Sequence, residues 1–189
     1  VDVFETNEYP GGKLAEKNGN GYRFDLGPSV FTMPHLIDEL FELAGKNPRD
    51  YFSYTRLDTS FKYFFEGGKC ITAFADRQKF AKEIVEKTSD SEENLLRYLD
   101  DIAIKYNITN EVFSENSLHI AGNYLKKKFL SGILNFHKID AFKSMHEGNK
   151  KFFKDPNVIQ LFDYYASYVG SNPLVAPATL NLISHLVLN

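Results

Sequence analysis

Val1-Asp2-Val3-Phe4-Glu5, Tyr9-Pro10-Gly11-Gly12-Lys13-Leu14 and Gly21-Tyr22-Arg23-Phe24-Asp25-Leu26-Gly27-Pro28-Ser29 are the segments on which the fold reading turns. The first reads as a strand ending in a carboxylate. In a dinucleotide-binding βαβ unit, the acidic residue at the end of the second strand hydrogen-bonds the adenosine ribose, about 20 residues after a glycine-rich turn. No such turn precedes Glu5, so the pattern reads as the middle of that unit and the chain as an internal fragment. Gly11 and Gly12 are free to take positive φ and let backbone approach a phosphate, and Lys13 adds a cation able to pair with it. Each feature also has an ordinary reading, Glu5 as a solvated strand end and Pro10-Gly11-Gly12 as a surface turn. The order of strand-Glu, Gly-Gly-Lys and a second strand ending in Asp25 favours the binding reading. That reading requires Glu5 at a strand tip and Gly12 turned toward the cleft beside it.

Outward from this stretch the pattern becomes helical. Thr32 can cap a helix with Pro34 in its first turn, Met33, Leu36, Ile37, Leu40, Leu43 and Ala44 on one face, and Gly45 ending it. Phe61 to Phe65 and Cys70 to Phe74 flank Glu66-Gly67-Gly68-Lys69, which predicts a β-hairpin over 61–74 turned at the two glycines. Asp76 can then cap a helix carrying Phe80, Ile84 and Val85. Ser89 or Ser91 can cap a longer one with Leu95, Leu99, Ile102 and Tyr106 on its apolar stripe. Further helices are expected near 117–135, 138–153, 156–169 and 174–188, with breaks at Asp155-Pro156 and Ser171-Asn172-Pro173. The fold class is α/β to α+β. An incomplete Rossmann-like portion over 1–56, lacking its first strand and glycine-rich turn, precedes the hairpin and a mainly helical portion over 57–189.

The 189 residues are 43% apolar and 25% charged, ordinary for a globular protein, but include 17 Phe and 11 Tyr with no Trp. Such aromatic content fits a large core or the lining of a site for a long apolar ligand. A net charge of -3 gives no electrostatic case for nucleic acid. One cysteine, Cys70, excludes an internal disulfide framework and fits a reducing, cytoplasmic compartment. The run from Tyr164 to Asn189 carries no Asp, Glu, Lys or Arg, yet its prolines, Gly170 and polar residues argue against a spanning helix.

The quoted segments, extended from Tyr22 to His35, resemble the bacterial-type carotenoid desaturases, the phytoene desaturase family of FAD-dependent oxidoreductases. A second block, Phe162 to Asn181 with His185, is similar to that family's middle segment. The Thr32-Met33-Pro34-His35 form, with Asn7-Glu8-Tyr9 before the glycines, looks closest to the branch acting on hydroxylated carotenoids. The resemblance implies a protein roughly two and a half times this length, with an FAD domain and a substrate domain. It implies FAD as cofactor, a carotenoid as substrate, and desaturation of a C–C bond. Glu5 would hold the FAD ribose, Gly11, Gly12 and Lys13 would lie along the pyrophosphate, and Gly27, Pro28 and Ser29 would approach the flavin ring. Residues 1–56 would then be a partial FAD-binding domain and 57–189 a partial substrate and membrane-associating domain. The isolated chain is expected to bind FAD poorly and to be inactive by itself. The alternatives are a related flavin amine oxidase-type oxidoreductase, against which the second block argues, and a non-catalytic module for an apolar ligand or a membrane.

Other constellations point to less. His35, His119, His137, His146 and His185 are widely spaced, so no metal site is expected. Asp100-Asp101 and Glu92-Glu93 read as solvated charges. Phe129 to Phe136 contains no Arg or Asp, and no catalytic base is assigned. Lys126-Lys127-Lys128-Phe129-Leu130 and Lys150-Lys151-Phe152-Phe153-Lys154 combine cations with apolar groups. They are either ordinary amphipathic helix faces or a peripheral contact with lipid at the inner membrane surface. No feature speaks to oligomeric state.

Overall fold

Asn20 and Gly21, at φ 51° and 81°, make the left-handed pair that a two-residue hairpin turn requires. They join β1 (Glu16–Gly19) to β2 (Tyr22–Asp25), antiparallel with Glu16 opposite Asp25 and Gly19 opposite Tyr22. The computed structural model describes residues 2–27, 31–110, 112, 119, 120, 122, 132 and 134–188. It divides the chain into two units, Val1–Tyr54 and Thr55–Asn189. Helices are mixed with two small antiparallel sheets of two strands each.

In the first unit, residues 2–5 form no strand, which corrects the expectation for Val1 to Glu5. A strand exists by exchanging N–H and C=O partners with a neighbour, and among the described residues none pairs with these. α1 (Pro34–Leu43) starts with Pro34 in its first turn, but its N-cap is Met33 in the left-handed region at φ 53°, with no side-chain cap. Thr32 does not take that role. Gly45, at φ 68°, ends the helix: its N–H donates to the Glu42 carbonyl and that of Lys46 to the Phe41 carbonyl. This double closure satisfies carbonyls that would otherwise be left open, and the left-handed position suits glycine. Arg49, which follows Pro48 in a 3-10 turn (Pro48–Asp50), pairs with Asp38 of α1 and lies 4.5 Å over the Tyr54 ring. Among the described residues of this unit only Pro48 is buried. The apolar face of α1 shares that exposure, to 78% at Leu43.

The second unit has a core. β3 (Thr59–Phe64) and β4 (Cys70–Phe74) pair antiparallel, Tyr63 opposite Ile71, through a loop in which Gly67 and Gly68 both have positive φ. Alternation along β4 turns Ile71 and Ala73 inward. α2 (Arg77–Lys87) is capped by Asp76, which accepts from Lys79 N at 2.7 Å, and α3 (Glu92–Thr109) by Ser91, which accepts from Asn94 N at 3.2 Å. α4 (Met145–Lys150), α5 (Pro156–Asp163) and α6 (Leu182–Leu188) complete the described helices. The rings of Tyr98, Phe153 and Phe162 form the centre, with Phe162 4.2 Å from Tyr98 and stacked 5.0 Å from Phe153.

Several expected helices are shorter than periodicity suggested. The one at 138–153 is α-helical only over α4, after a 3-10 turn (Phe136–Lys138), because Asp140 has φ 50° and a Ser144–Glu147 capping box sets the start. That at 156–169 passes into a 3-10 turn (Tyr164–Val169) after α5, and that at 174–188 begins at Ala178, just after Pro177. The expected helix at 117–135 lies almost wholly outside the described residues.

Candidate functional site

Glu5 is exposed and its carboxylate is held locally. Oε1 accepts from Thr6 N at 2.7 Å, Asn7 N at 2.9 Å and Asn7 Nδ2 at 3.0 Å, while Oε2 has no partner among the described residues. The backbone N–H groups of Asn7 and Thr6, joined by the Asn7 amide, hold the carboxyl below the usual glutamate range. Glu5 is therefore an ionised acceptor of fixed orientation at neutral pH, with one oxygen left to receive a hydroxyl. It stands at a loop and not at a strand tip.

Gly11 to Leu14 form a turn closed by Leu14 N donating to Gly11 O at 2.9 Å. Gly11 and Gly12 have φ 129° and 56°, and nothing lies within 4 Å of where a Gly12 side chain would start. The turn thus has an open side that a bound group could approach. Lys13 is exposed, and its carbonyl lies against Gly27, where a Cβ would sit 2.1 Å from it. Lys13 and Gly27 are therefore brought together backbone to backbone, a contact possible only for glycine. Pro28 and Ser29 lie outside the described residues. Among the described residues, no hydrogen bond joins Glu5 to Gly11, Gly12 or Lys13. In kind, the ionised acceptor and the open positive-φ turn fit the ribose and pyrophosphate of a dinucleotide, although Glu5 offers its carboxylate from a loop and not from the strand tip that the sequence pattern called for.

Sequence reading missed the second unit's polar and aromatic clusters. Lys105 is buried on α3 between Asp101 at 2.7 Å and Asp140 at 3.0 Å, so Asp101 is not a solvated charge. His146 Nδ1 lies 2.6 Å from Asp163, whose other oxygen accepts from Asn149 Nδ2 at 2.8 Å. The hydroxyls of Tyr63 and Tyr165 meet at 3.0 Å, and burial pushes the Tyr63 pKa up to about 12. The tyrosine spacing in Tyr164-Tyr165-Ala166-Ser167-Tyr168 was a visible signal for a ring cluster. Its partner on β3 was not. Among the described residues no group of three His, Cys, Asp or Glu could hold a metal ion.

A family model described as flavin containing amine oxidoreductase matches residues 1–188. The chain belongs to that family. This flavin-containing oxidoreductase family includes relatives that match nearly the whole chain. A protein named 1-hydroxycarotenoid 3,4-desaturase, from Flavobacterium sp. (strain P99-3), is 41% identical over 188 residues, covering 100% of this chain and 38% of its own length. One named 4,4'-diapolycopene oxygenase, from Methylomonas sp, is 32% identical over 98% of this chain and 37% of its own length. Another, 4,4'-diapolycopen-4-al dehydrogenase from Metabacillus indicus, is 28% identical over 97% of this chain and 37% of its length. The chain thus spans under two fifths of the curated relatives it matches. Because the family match runs through residues 2–5, membership in this flavin-containing family does not depend on a strand ending at Glu5.

Proposed function

We propose that this chain is part of an FAD-dependent carotenoid desaturase acting on a hydroxylated or related polyene. The observation that carries the reading is 41% identity, along the whole chain, to a protein named for desaturating a hydroxycarotenoid. Residues 1–56 serve as part of a Rossmann-like FAD-binding domain and residues 57–189 as part of the substrate domain. The free Oε2 of Glu5 accepts from the adenosine ribose. Gly11 and Gly12 let backbone come close to the pyrophosphate and Lys13 supplies a cation there. Gly27, with Pro28 and Ser29 after it, lies toward the flavin ring. Bound FAD would supply the hydride-accepting chemistry that desaturation needs, with a proton leaving from the neighbouring carbon. The chain's own part is to hold the dinucleotide at its ribose and phosphates and to offer the polyene an apolar, aromatic surface.

The substrate resides in lipid, and the protein collects it as a cytoplasmic, peripheral visitor to the inner membrane surface. No described helix is long and apolar enough to cross a membrane. Of the two basic segments, Lys126 to Lys128 lie outside the described residues. In the other, Phe153 is buried and Phe152 packs against the core, so Lys150, Lys151 and Lys154 would act as charges without an aromatic anchor.

The test is to express the chain together with whatever coding sequence flanks it in its gene and to record a visible spectrum. A flavin absorbance band in the purified protein, and conversion of a hydroxycarotenoid to a product with a longer chromophore, are the expected results. Flavin-free protein that leaves the polyene unchanged overturns the proposal.

A further inference from the structure

Four tyrosines from two distant parts of the second unit share one site. Tyr63 comes from β3 and Tyr164, Tyr165 and Tyr168 from the 3-10 turn after α5. Tyr165 is wholly buried, and its hydroxyl, 3.0 Å from that of Tyr63, fixes the base of the cluster. Tyr168 stacks on Tyr165 with centroids 5.8 Å apart, and Tyr164 stands edge-on to Tyr63 at 6.1 Å and perpendicular to Tyr168 at 6.4 Å. The two outer rings remain open, Tyr164 at 50% and Tyr168 at 42% exposure. They are thus held by packing at one edge and bare at the other. Val169 ends the turn and is exposed, Gly170 follows in the left-handed region, and Leu174 and Val175 are exposed in the loop after it.

The electrostatics of this strip narrow its ligand. No Asp, Glu, Lys or Arg occurs from Tyr164 to the end of the chain. Much of the loop's backbone bonds within the loop or to α4. Ser171 N donates to Ala166 O, and Leu174 N to Asn172 Oδ1 at 2.9 Å. The carbonyls of Pro173 and Ala176 accept from His146 N and Met145 N. Asp163, the charge next to this stretch, is taken up by His146 at 2.6 Å and Asn149 at 2.8 Å, so an anionic bilayer or a charged peptide would find no free counter-charge on the segment itself. A long neutral hydrocarbon matches it, and a conjugated one can also stack its flat π system on the ring faces.

We infer that Tyr164 and Tyr168, with Val169, Leu174 and Val175, form a docking platform for the polyene chain of a carotenoid. This rests on the carotenoid reading above and adds to it the surface on which the substrate lies.

The experiment titrates the 189-residue chain with 4,4'-diapolycopene in detergent micelles and follows circular dichroism in the visible band. The free polyene has no stereocentre, so only ligand held on an asymmetric surface gives a signal. An induced band is expected with the wild type. Tyr164→Ser/Tyr168→Ser should weaken binding at least about fivefold, while Tyr164→Phe/Tyr168→Phe should stay close to wild type because the rings survive. Phe142→Ser, at a ring 95% exposed elsewhere in this unit, should change nothing. Thermal unfolding checks that each variant is folded, and if the double Ser variant is not, Tyr164→Ser alone is read in its place. No induced band with wild type, equal binding by the Ser variant, loss with the Phe variant, or an equal loss with Phe142→Ser each overturns the platform. The flavin spectrum of the longer protein judges the enzymatic reading separately, so the two can fail independently.

Discussion

Gly27 shows how a single missing side chain can shape a site. Its α-carbon lies so close to the Lys13 carbonyl that any Cβ would overlap it, whereas a Cβ on Gly19 meets nothing within 4 Å. Gly27→Ala must therefore push the Gly11–Leu14 turn away, and Gly19→Ala need not. In the longer protein the first change should lower the flavin-to-protein absorbance ratio severalfold while the second leaves it unaltered. Lys105 poses the opposite problem, a charge taken out of water. Its ammonium is stabilised by Asp101 and Asp140, and Asp140 is shared with Lys143 at 2.9 Å. Burial works to raise the Asp140 pKa, but hydrogen bonds from Lys143 and Lys105 outweigh it and keep the carboxyl below the usual range. Lys105→Met would leave two carboxylates facing each other with less compensation. A loss of about 3 kcal/mol in urea unfolding is expected, as for a buried pair that has lost one partner.

Among the elements, α4 is short and owes its position to its start. Ser144 accepts from Glu147 N at 3.2 Å, and Glu147 returns the bond by accepting from Ser144 N at 3.0 Å. Ser144→Ala removes one half of this exchange and should cost about 1 kcal/mol, measured by denaturant midpoint. α5 is tied in by a similar reciprocity over a longer range. Asp90 accepts from the backbone of Lys154 and Asp155, while Asp155 accepts from Ser89 N and Asn157 N, with Lys69 3.7 Å away. Burial tends to raise the Asp155 pKa, and these N–H groups together with Lys69 override it, so the folded value lies below 3.8. A depressed carboxylate contributes its stability above the unfolded-state pKa and loses it as pH falls through the folded one. Stability should therefore drop more steeply below pH 3.8 in the wild type than in Asp155→Asn, as read by circular dichroism along an acid titration.

At the scale of the molecule the two units differ in what holds them. Residues of the second bury a continuous cluster from Ile71 to Leu188, centred on Tyr98 and Phe162. The first has a two-stranded hairpin exposed along both strands, a helix with no buried residue, and an aromatic clasp of Phe52 and Tyr54 around Arg49, with Phe41 against Phe52. A lone hairpin is marginal in water, and a short helix without a packed face is little better. Residues 55–189 expressed alone should unfold cooperatively on heating, and residues 1–54 alone should show no transition. Far-UV circular dichroism melts decide both.

What could be read along the chain were features whose partners lie within a turn or a short loop. Asp76, Ser91 and Asp155 cap helices because each bonds a backbone N–H two or three residues on, and Gly45, Gly67 and Gly68 supply the positive φ their turns need. The same local order, Gly-Gly-Lys and then Asp25-Leu26-Gly27, carried the resemblance to a flavoprotein family that the comparisons bear out. The Asn20-Gly21 hairpin was equally legible and went unread. Other features were settled by partners far away in sequence. Glu5 could have no strand without a neighbour to pair with, and Asp101 looked solvated until Asp140 and Lys105 closed around it. Tyr63 and Tyr165 meet across 102 positions. Caps and turns are one-dimensional because their hydrogen bonds are short-range in sequence. Burial and ring packing depend on which segments the core brings together, and only the tertiary structure chooses them.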